Sequence, residues 1–348
     1  FSSLINSEIP PAIMRVPSGL GLNMARNEKL ADIKNHLTRE EIEKYQKGRW
    51  VTCLYKNIIF GLPEATESYA IWINKSVFDK TNIKLPYLPE YGWTWEELIN
   101  NIENIKQANS GIKGLGFFRD MPSLLTWLYT GGGSLLEFDL KTPAIMNEKN
   151  VETIQTLNTM YKNGIIDNAS FCSIDESSTI DLFKSGKLAM FIGRSKYFED
   201  FNASIKDFDL GATYLPMREG SNPAAYTVGM NLVISSSTKY PNESIEFIKW
   251  FTSKEIVERH TGFADLISSR TDTYSEYSNN SEIFEVFFKQ AQWMSPQWGD
   301  EIHIKEIGEI EPIFVEKVSE SIIGESQNIE SSLKELEEEM SNLLKATQ

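Results

Sequence analysis

Between Gly61 and Lys106 the chain reads GLPEATESYAIWINKSVFDKTNIKLPYLPEYGWTWEELINNIENIK, and this stretch constrains the fold more than any other. A short loop leads into an apolar strand that stops at Asn74-Lys75. A short amphipathic helix and a Pro-rich linker follow. The next helix opens at Thr94, where Thr94 and Glu97 have the spacing of a capping box. Trp95, Leu98, Ile99, Ile102 and Ile105 recur at helical spacing behind it, which assigns Trp95 to the core and not to a ligand platform.

The remaining order is equally regular. Gly111 to Phe118 reads as a turn into a strand, and Val151, Ile154, Leu157 and Tyr161 mark a helix stopped by Gly164. In TIDLFKSGKLAMFIG, Thr179 to Gly193, a helix ends at a turn that needs a permissive backbone at Gly186, and Leu188 to Ile192 is a strand. DLGATYLP (209–216) and YTVGMNLVI (226–234) add strands. Asn242 to His260 is expected as one helix, and two more follow over residues 307–322 and 329–343. The last has a heptad-like rhythm too short for a coiled coil.

With 348 residues, 41% hydrophobic and 24% charged, the chain has material for two cores of normal domain size. A net charge of -15 argues against a nucleic-acid partner, because phosphate binding needs a basic face, and fits a carrier of neutral ligands. No apolar run is long enough to cross a bilayer, and Phe1 does not open a signal sequence; the chain is expected to be soluble and already processed. Cys53 and Cys172 are expected to be two buried free thiols in separate lobes. The Asn-, Lys-, Ile- and Glu-rich composition points to an AT-rich bacterial genome and a Gram-positive surface lipoprotein.

These segments, in this order, resemble the carbohydrate-binding group of the extracellular, periplasmic-type solute-binding proteins of ABC importers, the maltose-binding-protein-like family. Residues 61–98 follow its "LP…YNK.LF…TW.EL" pattern, residues 183–190 its "F.sGk.AM", and residues 209–216 its "..g.a.lP". The opening matches its "G.PPD" turn with Ala12 in place of Asp, and Glu28-Lys29-Leu30 in place of its Gly-x-Leu. The resemblance implies an α/β, two-lobed periplasmic-binding-protein-like fold (type II), each lobe a sheet flanked by helices and joined by hinge crossovers. It places lobe one at 1–113 plus 233–290 and lobe two at 117–229 plus 299–348. Hinges then lie near 113–117, 229–233 and 290–299, with crossings near Gly116 and Gly229. The family's first βαβ unit has no counterpart in this sequence: either an N-terminal segment has been lost or the first sheet is completed in some other way.

Catalytic motifs are missing. His36, His260 and His303 sit in unremarkable polar surroundings, and no Gly-x-Ser-x-Gly elbow occurs. Ser236 to Lys239 spells Ser-x-x-Lys without its companion motifs. Gly131-Gly132-Gly133 is no dinucleotide fingerprint, and Leu188 follows Gly186-Lys187 where a phosphate loop needs Ser or Thr. No spacing typical of a metal site is present, so neither metal nor cofactor is expected. Paired carboxylates for glycoside hydrolysis are defined by separation in space, which the sequence does not give.

Ligand in such a fold lies outside the carboxyl ends of the strands. A sugar offers C–H faces to an aromatic ring and hydroxyls to carboxylates, amides and Arg. The resemblance nominates Arg15 and Ser18 after the first strand, Glu64 and Glu67 before Asn74-Lys75, and Asp120 and Trp127 after the hinge strand. Arg15 reads equally as a surface ion pair, and Trp127 as packing. Where the family often has a stacking Trp, this chain has Gly193-Arg194-Ser195-Lys196-Tyr197, which nominates Arg194 and Tyr197 and keeps an acidic sugar in view. Tyr226, Gly229, Trp293 and Trp298 complete the set, Trp298 as a platform. The implied function is capture of a sugar or oligosaccharide by hinge closure and delivery to a membrane permease, by a monomer working outside the cytoplasm, on the cell surface or in a periplasm. A non-sugar solute, either organic acid or polyamine, and a two-lobed glycosidase or transferase are the competing readings.

Overall fold

The computed structural model describes residues 10–173, 176–264, 266–273, 281–325 and 328–346. In chain order, β1 (Ile13–Pro17) leads to α1 (Ser18–Arg26), then β2 (Gly61–Asn74), α2 (Trp95–Ala108) and β3 (Lys113–Gly116). Helices α3 (Met121–Thr130), α4 (Glu148–Lys162) and α5 (Glu176–Lys184) precede β4 (Leu188–Arg194), β5 (Leu210–Thr213) and β6 (Thr227–Ile234). The chain ends with α6 (Pro241–Phe251), α7 (Lys254–Ala264), β7 (Ile267–Ser268), α8 (Pro296–Glu301), α9 (Ile307–Ile323) and α10 (Ile329–Ala346).

Two compact units result: unit 1 holds Phe1–Glu67 and Thr227–Ser281, unit 2 holds Ser68–Tyr226 and Glu282–Gln348. In unit 1, β1 pairs antiparallel with β6, with Arg15 opposite Leu232, and the first half of β2 pairs with β7. Its core joins Tyr45, Trp50, Cys53, Leu62, Leu232 and Ile248. In unit 2, β3 runs parallel to β4, and the second half of β2 pairs antiparallel with β4 and β5. Trp72 anchors that core, its ring 4.7 Å from Phe287 and 5.1 Å from Phe201.

Local signals form as the sequence dictates. Thr94 and Glu97 close the capping box, and Trp95 is buried. Gly164 and Gly186 take φ of 65° and 69°, the left-handed values that stop α4 and turn α5 into β4.

Three boundaries differ from expectation. The first passage between units falls at Glu67/Ser68, not near 113–117, because β2 is one 14-residue strand whose two halves belong to different units. Gly116 serves packing inside unit 2: a Cβ there would lie 2.7 Å from Leu188 Cδ1. Gly114 likewise lets α2 close on β3, since its Cβ would lie 2.7 Å from Ile102 Cγ2. The later passages fall at 226/227 and 281/282, against expected hinges near 229–233 and 290–299. The helix expected over 242–260 is two, broken at Thr252-Ser253. Cys172, expected buried, is exposed, since the short helix Asn168–Cys172 turns Phe171 inward instead.

Candidate ligand site

Unit 1 gathers a polar cluster around the edge where β1, β2 and β6 meet. Glu64 is 1% exposed, and its carboxylate receives Arg15 Nε at 2.7 Å while His260 Nε2 lies 2.8 Å from its other oxygen. The Arg15 side chain is 39% exposed, so this pair has one wet and one dry member. Behind it, Arg49 is fully buried and donates to Asn231 Oδ1 at 3.1 Å and, at longer range, to Ser18 Oγ and the Ala65 carbonyl. Burial draws the Arg49 guanidinium down to about 10. Ser18 Oγ donates to the Gly229 carbonyl at 3.0 Å, and a Cβ at Gly229 would lie 2.4 Å from Arg49 Nη2. That Cβ would also strike the Ala65 carbonyl oxygen, a backbone atom that cannot swing aside, so glycine is required at 229. Glu67 is half-buried at the end of unit 1's share of β2.

Unit 2 gathers aromatic rings with a charged fringe. Asp120 caps α3, accepting from Ser123 N at 2.9 Å, and burial together with nearby Glu176 raises its carboxyl. Arg194, at the end of β4, meets Glu176 Oε1 at 3.4 Å. The Tyr197 hydroxyl donates to the other Glu176 oxygen at 3.0 Å, and Lys196 approaches the same carboxylate at 3.9 Å. Tyr226 packs against Trp298, ring centroids 4.4 Å apart, and meets Tyr69 edge-on at 5.9 Å. Burial raises the Tyr226 phenol first, then the charges of Glu311 and Asp120, while Arg194 opposes them. Those four side chains therefore share one electrostatic environment.

The nominated residues sort by this geometry. Arg15 and Glu64 meet, as do Ser18 and Gly229; Arg194 and Tyr197 meet through Glu176, and Tyr226 meets Trp298. Trp127 is 1% exposed between Trp95 and Phe117, so its ring is packing. Trp298 is 4% exposed and backs Tyr226 rather than offering a free face. Trp293 is half-buried, its carbonyl taking the Ala225 N–H at 2.8 Å.

The sequence profile described as "Bacterial extracellular solute-binding protein" matches residues 22–258. The chain belongs to that family. Its place of work is extracytoplasmic, and no helix among the described residues is long and apolar enough to cross a membrane. No curated protein matches. Among solved structures, the GacH receptor of Streptomyces glaucescens, studied unliganded and with acarbose, is 20% identical with a TM-score of 0.78 over 99% of this chain and 86% of that one. An extracellular solute-binding protein from Staphylococcus aureus in complex with maltose is 20% identical, TM-score 0.79, over 97% and 83%. A cyclic α-maltosyl-1,6-maltose binding protein from Arthrobacter globiformis is 15% identical, TM-score 0.82, over 99% and 87%. These likenesses establish the two-lobed solute-binding fold.

Several residues of this solute-binding protein escaped sequence reading. Arg49, His260 and Glu176 act through partners remote in sequence, and no local spacing marks them. Glu301, 1% exposed, accepts from Tyr129 Oη at 2.7 Å and from the amides of Leu135 and Leu136 at 2.6 and 3.0 Å. Burial nevertheless pushes its carboxyl up to about 7. The one available signal was a carboxylate three residues beyond Trp298 on α8. Among the described residues no three His, Cys, Asp or Glu side chains converge as a metal site.

Proposed function

We propose that the protein captures a sugar or oligosaccharide and hands it to the membrane permease of an ABC importer, leaving the ligand's bonds unchanged. Family membership supports capture, and the likeness to proteins described with acarbose, maltose and a cyclic maltosyl-maltose supports the sugar. The observation that carries the reading is the unit 2 cluster, where the charges of partly exposed Asp120 and Arg194 act on Tyr226 and Trp298 backs that ring. Acceptors and donors held on buried rings suit hydroxyls whose desolvation would otherwise cost about 1–3 kcal/mol each.

Asp120, Arg194 and Tyr197 are the polar contacts of this reading, and Tyr226 is its ring. Arg15, Ser18, Glu64 and Glu67 are the contacts proposed for unit 1. An acidic sugar is disfavoured, because Arg194 and Lys196 already face Glu176 and share their surroundings with Asp120. The protein is proposed to act as a monomer, held at the cell surface as a lipoprotein or free in a periplasm.

The test is a thermal-shift screen over neutral mono- and oligosaccharides, followed by calorimetry. A true ligand at a hundred times its Kd stabilises the native state by about 2.7 kcal/mol. Asp120→Asn and Arg194→Met should each weaken binding at least tenfold, and the bound sugar should be recovered intact. No shift across the panel, or recovery of cleaved sugar, ends this reading.

A further inference from the structure

We propose that Glu301 is a positioning residue of the ligand site: it fixes the spacing between Asp120 and Tyr226, and so sets ligand affinity without touching the ligand. This rests on the sugar-binding reading above and adds to it a determinant of affinity outside the contacts already named.

Tyr226 does not hold its own place. Its ring lies against Trp298, centroids 4.4 Å apart. The residue before it, Ala225, donates its N–H to the Trp293 carbonyl at 2.8 Å and accepts from Ser295 N at 3.0 Å. Ring and backbone are thus both referenced to residues 293–298, the approach to α8 and its first turn. That helix has six residues, too few to be stable by itself, so tertiary contacts decide where it sits.

Glu301 supplies the contact at its far end. One carboxylate oxygen accepts from Tyr129 Oη on α3, and the other from the amides of Leu135 and Leu136, which follow α3. α3 opens at its Asp120 cap, so a single side chain joins the helix that starts at Asp120 to the helix that backs Tyr226. The Gly131–Gly133 run permits the reach. Gly132 takes φ of 77°, and a Cβ at Gly133 would strike Asn150 Oδ1, so only glycines turn the chain tightly enough to bring both amides onto the carboxylate.

Packing alone does not call for this group. Glu301 is 1% exposed, no cation among the described residues pairs with it, and Asp300, whose charge acts on it, has the same sign. Burying an acid without a counter-ion is costly in desolvation. What the carboxylate adds over an apolar filler is direction: three hydrogen bonds, drawn from α3 and the chain beyond it, converge on one point.

Calorimetry at about pH 8, where the Glu301 carboxyl is ionised, tests this with maltose, maltotetraose, cellotetraose and the rest of the neutral panel, well below the melting temperature. For a saccharide that the native protein binds, Glu301→Leu should weaken binding about tenfold or more, and Tyr129→Phe, which removes one bond and keeps the ring, about threefold. Glu301→Gln should recover most of the affinity, because its oxygen accepts from both amides and its NH2 donates to Tyr129 Oη. Leu336→Ala, which opens a cavity beneath α10, should lower the denaturation midpoint and leave affinity unchanged. If Glu301→Leu does not fold, Tyr129→Phe against Leu336→Ala decides. Unchanged affinity in the folded variants, an equal loss in Leu336→Ala, or a Gln variant no better than the Leu variant overturns the proposal while leaving sugar capture standing. No binding of any saccharide by the native protein overturns both.

Discussion

Unit 1 and unit 2 solve the same problem with different materials. The unit 1 cluster is ionic: a fully buried Arg49 and a nearly buried Glu64 lock Ser18, Asn231, Arg15 and His260 in place. The unit 2 cluster is aromatic: Tyr69, Tyr226 and Trp298 form the base, and the charges stand on its fringe. The contrast teaches where rigidity comes from. Buried ions hold direction through hydrogen bonds that are costly to leave unmade, whereas rings hold shape through volume. Substitutions in unit 2 should therefore register as cavities, and those in unit 1 as unsatisfied polar groups.

The strongest test of that contrast is Trp298→Ala, which empties the space behind Tyr226 and should cost about 3–5 kcal/mol in chemical denaturation. Trp298→Phe should restore most of that loss; a loss equally large for both would show that ring volume is not what matters. In unit 1, Arg49→Leu keeps bulk but removes the short bond to Asn231 Oδ1 and the longer ones to Ser18 Oγ and the Ala65 carbonyl, and a loss of about 3 kcal/mol is expected. Should Arg49→Leu prove neutral, the ionic description of unit 1 fails.

Glu301 sharpens the comparison through pH. Its folded carboxyl titrates at about 7 against 4.5 for the ordinary group, so between those values the native state holds more protons than the unfolded chain. Stability from this group is full below 4.5 and is lost as pH rises to about 7, by about 3 kcal/mol in total. Subtracting the pH profile of Glu301→Gln from that of the native protein isolates the effect; a flat difference would remove it. Arg15→Ala should have the smallest effect, under about 1 kcal/mol, because solvent screens the exposed partner of that pair. A larger loss would mean that Glu64 depends on Arg15 more than on His260.

What was legible in the chain was local. The Thr94–Glu97 cap, the left-handed Gly164 and Gly186, and the strand after Lys187 are each decided within a few residues. The division between units was not, because a strand of 14 residues carries no mark where its pairing changes partners. Trp127, in an apolar run, and Trp298, among polar residues, were both nominated for the site, and only packing showed one inside a core and the other behind Tyr226. The roles of Arg49 and His260 were invisible for the same reason: each is identified by what surrounds it in space.

The two cysteines differ in a way that can be put to practical use. Cys53 is sealed in the core of unit 1, its thiol pushed up to about 12 by burial, while Cys172 stands exposed in unit 2 beside the Tyr161 hydroxyl. A maleimide fluorophore applied to the native polypeptide will therefore label a single atom, Cys172 Sγ, with no engineering. The unmodified sequence already provides the attachment point for an optical sensor of whatever solute it takes up.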